Sequence, residues 1–413
     1  MHNNMKKDYF WNTTGALAQN AISPILLIVI TRINGIYESG IFSFAFSVAI
    51  TFWIMGMWGG RTYQVSDIKN EFSHRSYITT RMVLAVAMIF GAFVFSTLNH
   101  YDAMKTELII VLVLFKAIES IADAIYGVLQ VHNRLYNVGK SLLYKAVGSF
   151  VAFCLIDIST HNILWSSVVV VLVNIFVMFG YDIFIAGKLE NIKVSSSKIT
   201  HYTKNATVIM KRTAPVLAVT LLMSLSLNIP RYFIDKYHGD EIGYFGIIAM
   251  PITLITLVVS FILQPNVVSL SQLYERKKYK EFSTIVNKIL GITAVVGIGI
   301  VGITFWVGAP LLRLVFGVDF SSYKTALVVM VAGGVVSALV VVYMNILIIV
   351  RRFKYFFYVL LLTNLLLFVL SALEIKASGL NGGVDLFAIV STIQLVLTFI
   401  VYKITTGKKI SYA

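Results

Sequence analysis

Three ionisable side chains, Lys116, Glu119 and Asp123, fall close together in FKAIESIADAIYG at 115–127, inside a stretch that is otherwise apolar. Their spacing of three and then four residues puts them within about 60° on one face of a helix. Gln130 extends the same stripe. An ammonium group there can hold a phosphate or answer a carboxylate, and a carboxylate can exchange a proton or a cation. Charge is costly in hydrocarbon, about 2.5–3.5 kcal/mol for a Lys or Asp at the centre of a membrane helix. The stripe must therefore face a wet cavity or find partners. Lys145, on the next helix and running the opposite way, stands level with Asp123. Two readings are open: an Asp123–Lys145 ion pair that fastens the helices, or a cavity-facing role for at least one of these charged groups.

Other chemistries lack their residues. A single cysteine, Cys154, excludes an internal disulfide and a thiolate metal cluster, and the seven His are scattered without metal-ligand spacing. GIGIVG at 297–302 spells a dinucleotide-type glycine pattern, but it sits inside an apolar helix, where glycines serve close packing. The short outer loops leave little room for a catalytic region, and no acid/base or nucleophile set gathers near one face. The expectation is a non-enzyme without metal or cofactor.

The elements that must position the stripe are membrane helices. Hydrophobic residues make up 58% of the 413-residue chain, charged residues 13%, and mean hydropathy is +0.83, against roughly a quarter charged in a soluble domain. Stretches near the roughly 20 residues needed to cross a bilayer occur about twelve times: 9–31, 39–60, 77–98, 106–130, 137–157, 162–186, 208–229, 241–270, 283–307, 321–350, 355–374 and 380–404. Long continuous apolar runs without ten-residue alternation exclude a barrel. Assigning alternate loops to one side collects 25 of the 34 Lys and Arg there and leaves 7 on the other. By the positive-inside rule both termini are cytoplasmic. The formal charge of +15 then reports topology and an attraction to anionic lipid rather than a nucleic-acid partner. The sequons at Asn12 and Asn205 fall on the cytoplasmic side.

The chain also echoes itself. Glu38, Gly40 and Phe42 in YESGIF return as Glu241, Gly243 and Phe245 in DEIGYF, and EFS at 71–73 returns at 281–283. Both copies of the first phrase open the second helix of a group of six. The expected organisation is all-α, with a six-helix bundle at 1–187, a basic cytoplasmic linker at 188–206 and a second six-helix bundle at 207–413, related as parallel repeats. Prolines at 24, 215, 230, 251 and 265 lie in or beside the first, seventh and eighth helices, where bends would suit gating.

Asp123, Tyr126, Gly127, Gln130, Arg134, Lys140 and Ser141, with TRINGIYESGIFSFAFSVAI at 31–50, make the chain resemble the Wzx-type polysaccharide repeat-unit flippases of the multidrug/oligosaccharidyl-lipid/polysaccharide (MOP) exporter superfamily. That resemblance implies a MATE-like fold in a bacterial plasma membrane. It also implies export of a polyprenyl-pyrophosphate-linked oligosaccharide, for O-antigen, capsule or exopolysaccharide, from the inner to the outer leaflet, alongside polymerase and glycosyltransferase partners. Lys116 and Lys145 would then attract the pyrophosphate, with Gln130 nearby and Glu119 or Asp123 serving coupling or an ion pair. Arg61, Arg81, Lys211 and Arg212 at the inner helix ends would gather it, or serve only as interfacial anchors. Rival readings are a drug/cation antiporter of the same superfamily, which should favour carboxylates over bases in its cavity, and a membrane glycan polymerase.

Overall fold

The computed structural model describes residues 2–67, 69, 71–192, 194 and 199–411. Residues 193 and 195–198 of the expected linker lie outside them. Among the described residues there are helices and no strands. The chain divides into two compact units, 1–221 and 222–413.

Unit 1 contains α1 (His2–Ile33), α2 (Ile36–Gly56), the short α3 (Arg61–Ser66), α4 (His74–Leu98), α5 (Ala103–Val131), α6 (Leu135–Thr160), α7 (Ile163–Val177) and α8 (Phe184–Leu189), with a π-helical stretch, Met178–Ile183, joining the last two. α9 (Ile199–Tyr237) continues past the boundary into unit 2. Local chemistry marks the helix starts. Asp102 accepts from Lys105 N at 2.7 Å, and Asn162 accepts from Leu164 N and Trp165 N, so side-chain oxygens cap amides that have no intrahelical acceptor. Inside the helices hydroxyls are satisfied one turn back, as Thr80 donates to Ser76 O at 2.7 Å, which is how a polar side chain survives an apolar interior. Asp157 of α6 accepts from both Asn34, just past α1, and Ser166 of α7.

α1 lies against α6 along much of its length. The contact is backbone on backbone: a Cβ added at Gly15 would run into the Gly139 carbonyl, and one at Gly139 would run into Trp11 O and Asn12 N. Small residues permit this approach between membrane helices.

Unit 2 contains α10 (Ile242–Ile248), α11 (Met250–Leu263), α12 (Val267–Glu275), α13 (Tyr279–Ile303), α14 (Ala309–Phe316), α15 (Lys324–Ile349) and α16 (Phe353–Ser411). The expected continuous span at 241–270 is broken into pieces. Pro251 stands near the start of α11 and Pro265 in the 3₁₀ turn Gln264–Asn266, and a proline supplies no amide to continue a helix. α16 is two legs meeting at Gly379 (φ 56°, ψ −137°). Glu241 holds that break: its carboxylate accepts from Leu380 N at 2.6 Å and from the Tyr323 hydroxyl at 3.4 Å. The two copies of the repeated phrase bury the same residues, Gly40 and Phe42 in α2 and Gly243 and Phe245 in α10.

Ten helical stretches among the described residues are long and apolar enough to cross a membrane. The expected eleventh and twelfth spans are the two legs of α16, and the expected fourth is α5, whose 29 residues carry the charged stripe. The chain is a multi-pass integral membrane protein.

Candidate functional site

The charged stripe of α5 meets four neighbouring elements of unit 1. At one end, Lys116 Nζ lies 2.6 Å from Glu119 Oε2, and Gln19 of α1 donates to the other oxygen of Glu119. The same ammonium stands over the rings of Phe46 (5.0 Å), Phe115 (4.7 Å) and Trp53 (5.7 Å). Aromatic faces attract a cation without neutralising it, so Lys116 is held by one carboxylate and three rings.

Further along, Asp123 faces two arginines. Arg61 Nε and Arg81 Nη2 are each 3.6 Å from its carboxylate. Arg81 is buried to 3% exposure and donates from Nη1 to Gly56 O and Trp58 O, both at 2.8 Å, which satisfies carbonyls at and just past the end of α2, where a helix leaves carbonyls without an intrahelical amide. Short α3 is docked onto α5 here. Gln64 donates to Ala124 O at 3.0 Å, and its amide lies so close to Gly127 that a Cβ there would collide with it.

The third cluster differs from the sequence reading. Lys145 does not pair with Asp123; its carboxylate partner is Asp182, at 2.7 Å, with exposures of 2% and 0%. Lys145 also donates to the Tyr126 hydroxyl at 2.8 Å, which in turn is 2.9 Å from Ser141 Oγ. The reason lies in α6 and its neighbours. Depth placed Lys145 level with Asp123, but the azimuth of the side chain on α6 is set by packing, and α6 lies chiefly against α1 and α7. Asp182 sits in the π-helical stretch, where an extra residue per turn re-aims side chains and which recurs at functional positions. A lone acid in FGYDIFIAG (179–187) was the available signal. Gln19 and Gln64, neutral residues on other helices, carried none.

Gln130 is half-buried at the last turn of α5. Lys211 and Arg212 are exposed on α9, apart from the buried clusters. Arg212 is engaged with Glu71 at 2.7 Å and lies over the Phe72 ring at 5.4 Å. Its hydrogen bond holds the Glu71 carboxyl below the usual carboxylate range. Glu71 therefore contributes stability that is present at neutral pH and lost as pH falls through its lowered value.

The three interior clusters hold four cations, Arg61, Arg81, Lys116 and Lys145, against three carboxylates, Glu119, Asp123 and Asp182. Asp123 must serve two guanidinium groups at distances beyond a tight hydrogen bond. The surplus is positive and arginine-borne, which suits a bidentate anion such as phosphate.

No protein-family model matches the chain. It is 26% identical over 311 residues to the capsular polysaccharide biosynthesis protein CapF of Staphylococcus aureus, a match covering 74% of this chain and 76% of that one. Among solved structures it is similar to an inward-facing multidrug-resistance MATE transporter of the MOP superfamily (TM-score 0.71, 13% identity, 97% and 96% of the two chains). A ligand complex of the MATE multidrug transporter DinF-BH gives a TM-score of 0.65 at 15% identity over 100% and 97%. A MOP-superfamily transporter from Pyrococcus furiosus, whose reverse binding-pocket polarity is said to suggest a different function, gives 0.57 at 13% over 98% and 93%. Resemblance read from the stripe and likeness read from the backbone agree: this chain has the fold of the MOP-superfamily transporters.

Proposed function

We propose that the protein is a flippase that carries a polyprenyl-pyrophosphate-linked oligosaccharide from the inner to the outer leaflet of a bacterial plasma membrane by alternating access. The supporting observation is the positive surplus of the interior clusters, above all two arginines sharing Asp123. A buried guanidinium without its own carboxylate is a ready partner for pyrophosphate oxygens, whereas a drug-cation antiporter would do better with the surplus reversed. The similarity to a capsular polysaccharide biosynthesis protein supports the same class of cargo. In this reading Lys116 and Arg61 meet the pyrophosphate first, since both retain some exposure. Lys145 is committed to Asp182 and acts on α5 through Tyr126. Lys211 and Arg212, exposed at the end of the unit, gather the headgroup or anchor α9.

The second reading is the antiporter, carried by the likeness to multidrug MATE structures. Reconstitution separates them. Proteoliposomes loaded with a lipid-linked oligosaccharide should show its headgroup changing leaflet, and a lipophilic cation should not accumulate. Cation accumulation with no headgroup movement sinks the flippase reading, and covalent chain growth without leaflet exchange would indicate a polymerase.

A further inference from the structure

Among the described residues, four helices end in one backbone turn, in which a residue with positive φ bonds three residues back and its successor bonds five residues back. Two of these turns are in unit 1, at His100 and at Asn133. The other two are in unit 2. After α12, Lys277 (φ 59°) donates to Tyr274 O and Lys278 to Leu273 O; after α15, Arg351 (φ 59°) donates to Ile348 O and Arg352 to Leu347 O. This is the helix-ending turn that favours Gly, or Asn, at its left-handed position, and Asn133 conforms. Lys277 and Arg351 do not. A side chain with a β-carbon is strained there, so at both places a cation stands where a neutral, unstrained residue would close the helix better.

Topology does not explain the placement. The positive-inside rule counts basic residues over a loop and over some fifteen residues beyond a span, and Arg276, Lys278 and Lys280 on one side and Arg352 and Lys354 on the other already meet it. The interaction of a cation with a helix C-terminus is likewise available from the neighbouring positions. Lys277 and Arg351 are both exposed, as are Arg276, Arg352 and Lys354, and among the described residues none of these five takes an ion pair.

The two turns share one end of unit 2, because Gly297 meets Val335 and Gly308 meets Leu327, so α13 and α15 run in opposite directions and the start of the one lies beside the end of the other. In the first, Tyr274 packs against Tyr279 and the fully buried Phe282 at 5.6 and 5.5 Å. Close in sequence to Arg351 come exposed amphipathic rings, Tyr355 and Tyr358, and the exposed aliphatic Ile348 of α15, and Val268 at the start of α12 is exposed too. Exposed cations with exposed phenols near them in the chain suit the phosphate and the interface of a phospholipid.

We propose that the turns at Lys277 and Arg351 are a docking surface for anionic phospholipid headgroups, on the face of unit 2 that the distribution of Lys and Arg assigns to the cytoplasm. The test uses the full-length protein in nanodiscs of phosphatidylcholine alone or mixed with phosphatidylglycerol, with melting temperature as the readout. The wild type should melt higher when phosphatidylglycerol is present, and salt should diminish the rise. The double variant Lys277→Gly, Arg351→Gly should melt no lower than wild type in phosphatidylcholine, because both turns are relieved of strain, and should lose at least half of the phosphatidylglycerol-dependent rise. Lys376→Gln, remote in sequence and on the opposite face by the same distribution, should keep the full rise. No rise in the wild type, an equal rise in the double variant, or a lower melting temperature of that variant in phosphatidylcholine alone would each overturn the proposal, the last by showing that the two cations are structural caps.

Discussion

At the scale of single residues, the buried pair Lys145–Asp182 and the ring-held Lys116 differ in kind. Removing one member of a buried ion pair leaves a charge with no counterion, typically costing about 3–5 kcal/mol, while replacing both with apolar groups is often neutral. Lys145→Met alone should therefore destabilise the protein by about that much in detergent, and Lys145→Met with Asp182→Leu should recover most of it; unfolding midpoints measure both. Lys116 should behave as a functional group. Lys116→Gln should slow headgroup flipping in proteoliposomes more than Lys324→Gln, whose ammonium is exposed at the start of α15 over the Phe305 ring. Equal loss in the two variants removes the reason for placing the pyrophosphate beside Lys116. The sequence showed which residues carry charge, because charge in an apolar run is conspicuous. It did not show the pairing of Lys145, because depth along a helix follows from counting residues whereas azimuth follows from which neighbours the helix buries.

At the scale of elements, α3 and the break in α16 each depend on one close contact. Gly127 leaves room for the Gln64 amide, which keeps α3 against α5 and Arg61 near Asp123. Gly127→Ala should overpack this contact, at about 1–3 kcal/mol, and Gln64→Ala in the same chain should relieve part of the clash while leaving α3 loosely docked. A cysteine placed at Thr62 should then become more reactive even where stability has returned. The break at Gly379 is left-handed and lies against the Glu241 carboxylate. Gly379→Ala should cost stability twice over, through backbone strain and through displacement of Glu241 from Leu380 N, and thermal unfolding in detergent should show a larger loss than for Gly382→Ala. The positions of most helices were legible from hydropathy alone, since a run of apolar residues long enough to span hydrocarbon has few alternatives. The break at Gly379 falls between the spans expected at 355–374 and 380–404, whereas those at Pro251 and Pro265 were legible only as residues that permit a bend. The short α3, polar and six residues long, carries no periodic signal, yet it delivers Arg61.

At the scale of the whole molecule, orientation and driving force can be tested without knowing the sugar. Cysteines introduced singly at Asn191 and Tyr279 should react with impermeant reagents only after the cytoplasmic side is opened, and one at Tyr237 should react from outside; labelling of Asn191 in intact cells overturns the assignment. A pyrophosphate head carries about two negative charges, and each gains about 2.3 kcal/mol per 100 mV on moving out of a negative interior. Flipping should accordingly accelerate with a potential negative on the loading side, and an unchanged rate would count against an anionic cargo. The seam between α1 and α6 bears on how such a cargo could travel. With Gly15 against the Gly139 carbonyl and Gly139 against Trp11 O, no methylene fits between the two backbones at this level, let alone a branched polyprenyl chain. A lipid tethered to a headgroup inside unit 1 cannot slide sideways through the joint at that level while the two glycines are in contact. Its tail must thread some other gap, and a bulky side chain at Gly15 should wedge the bundle apart without creating a usable exit.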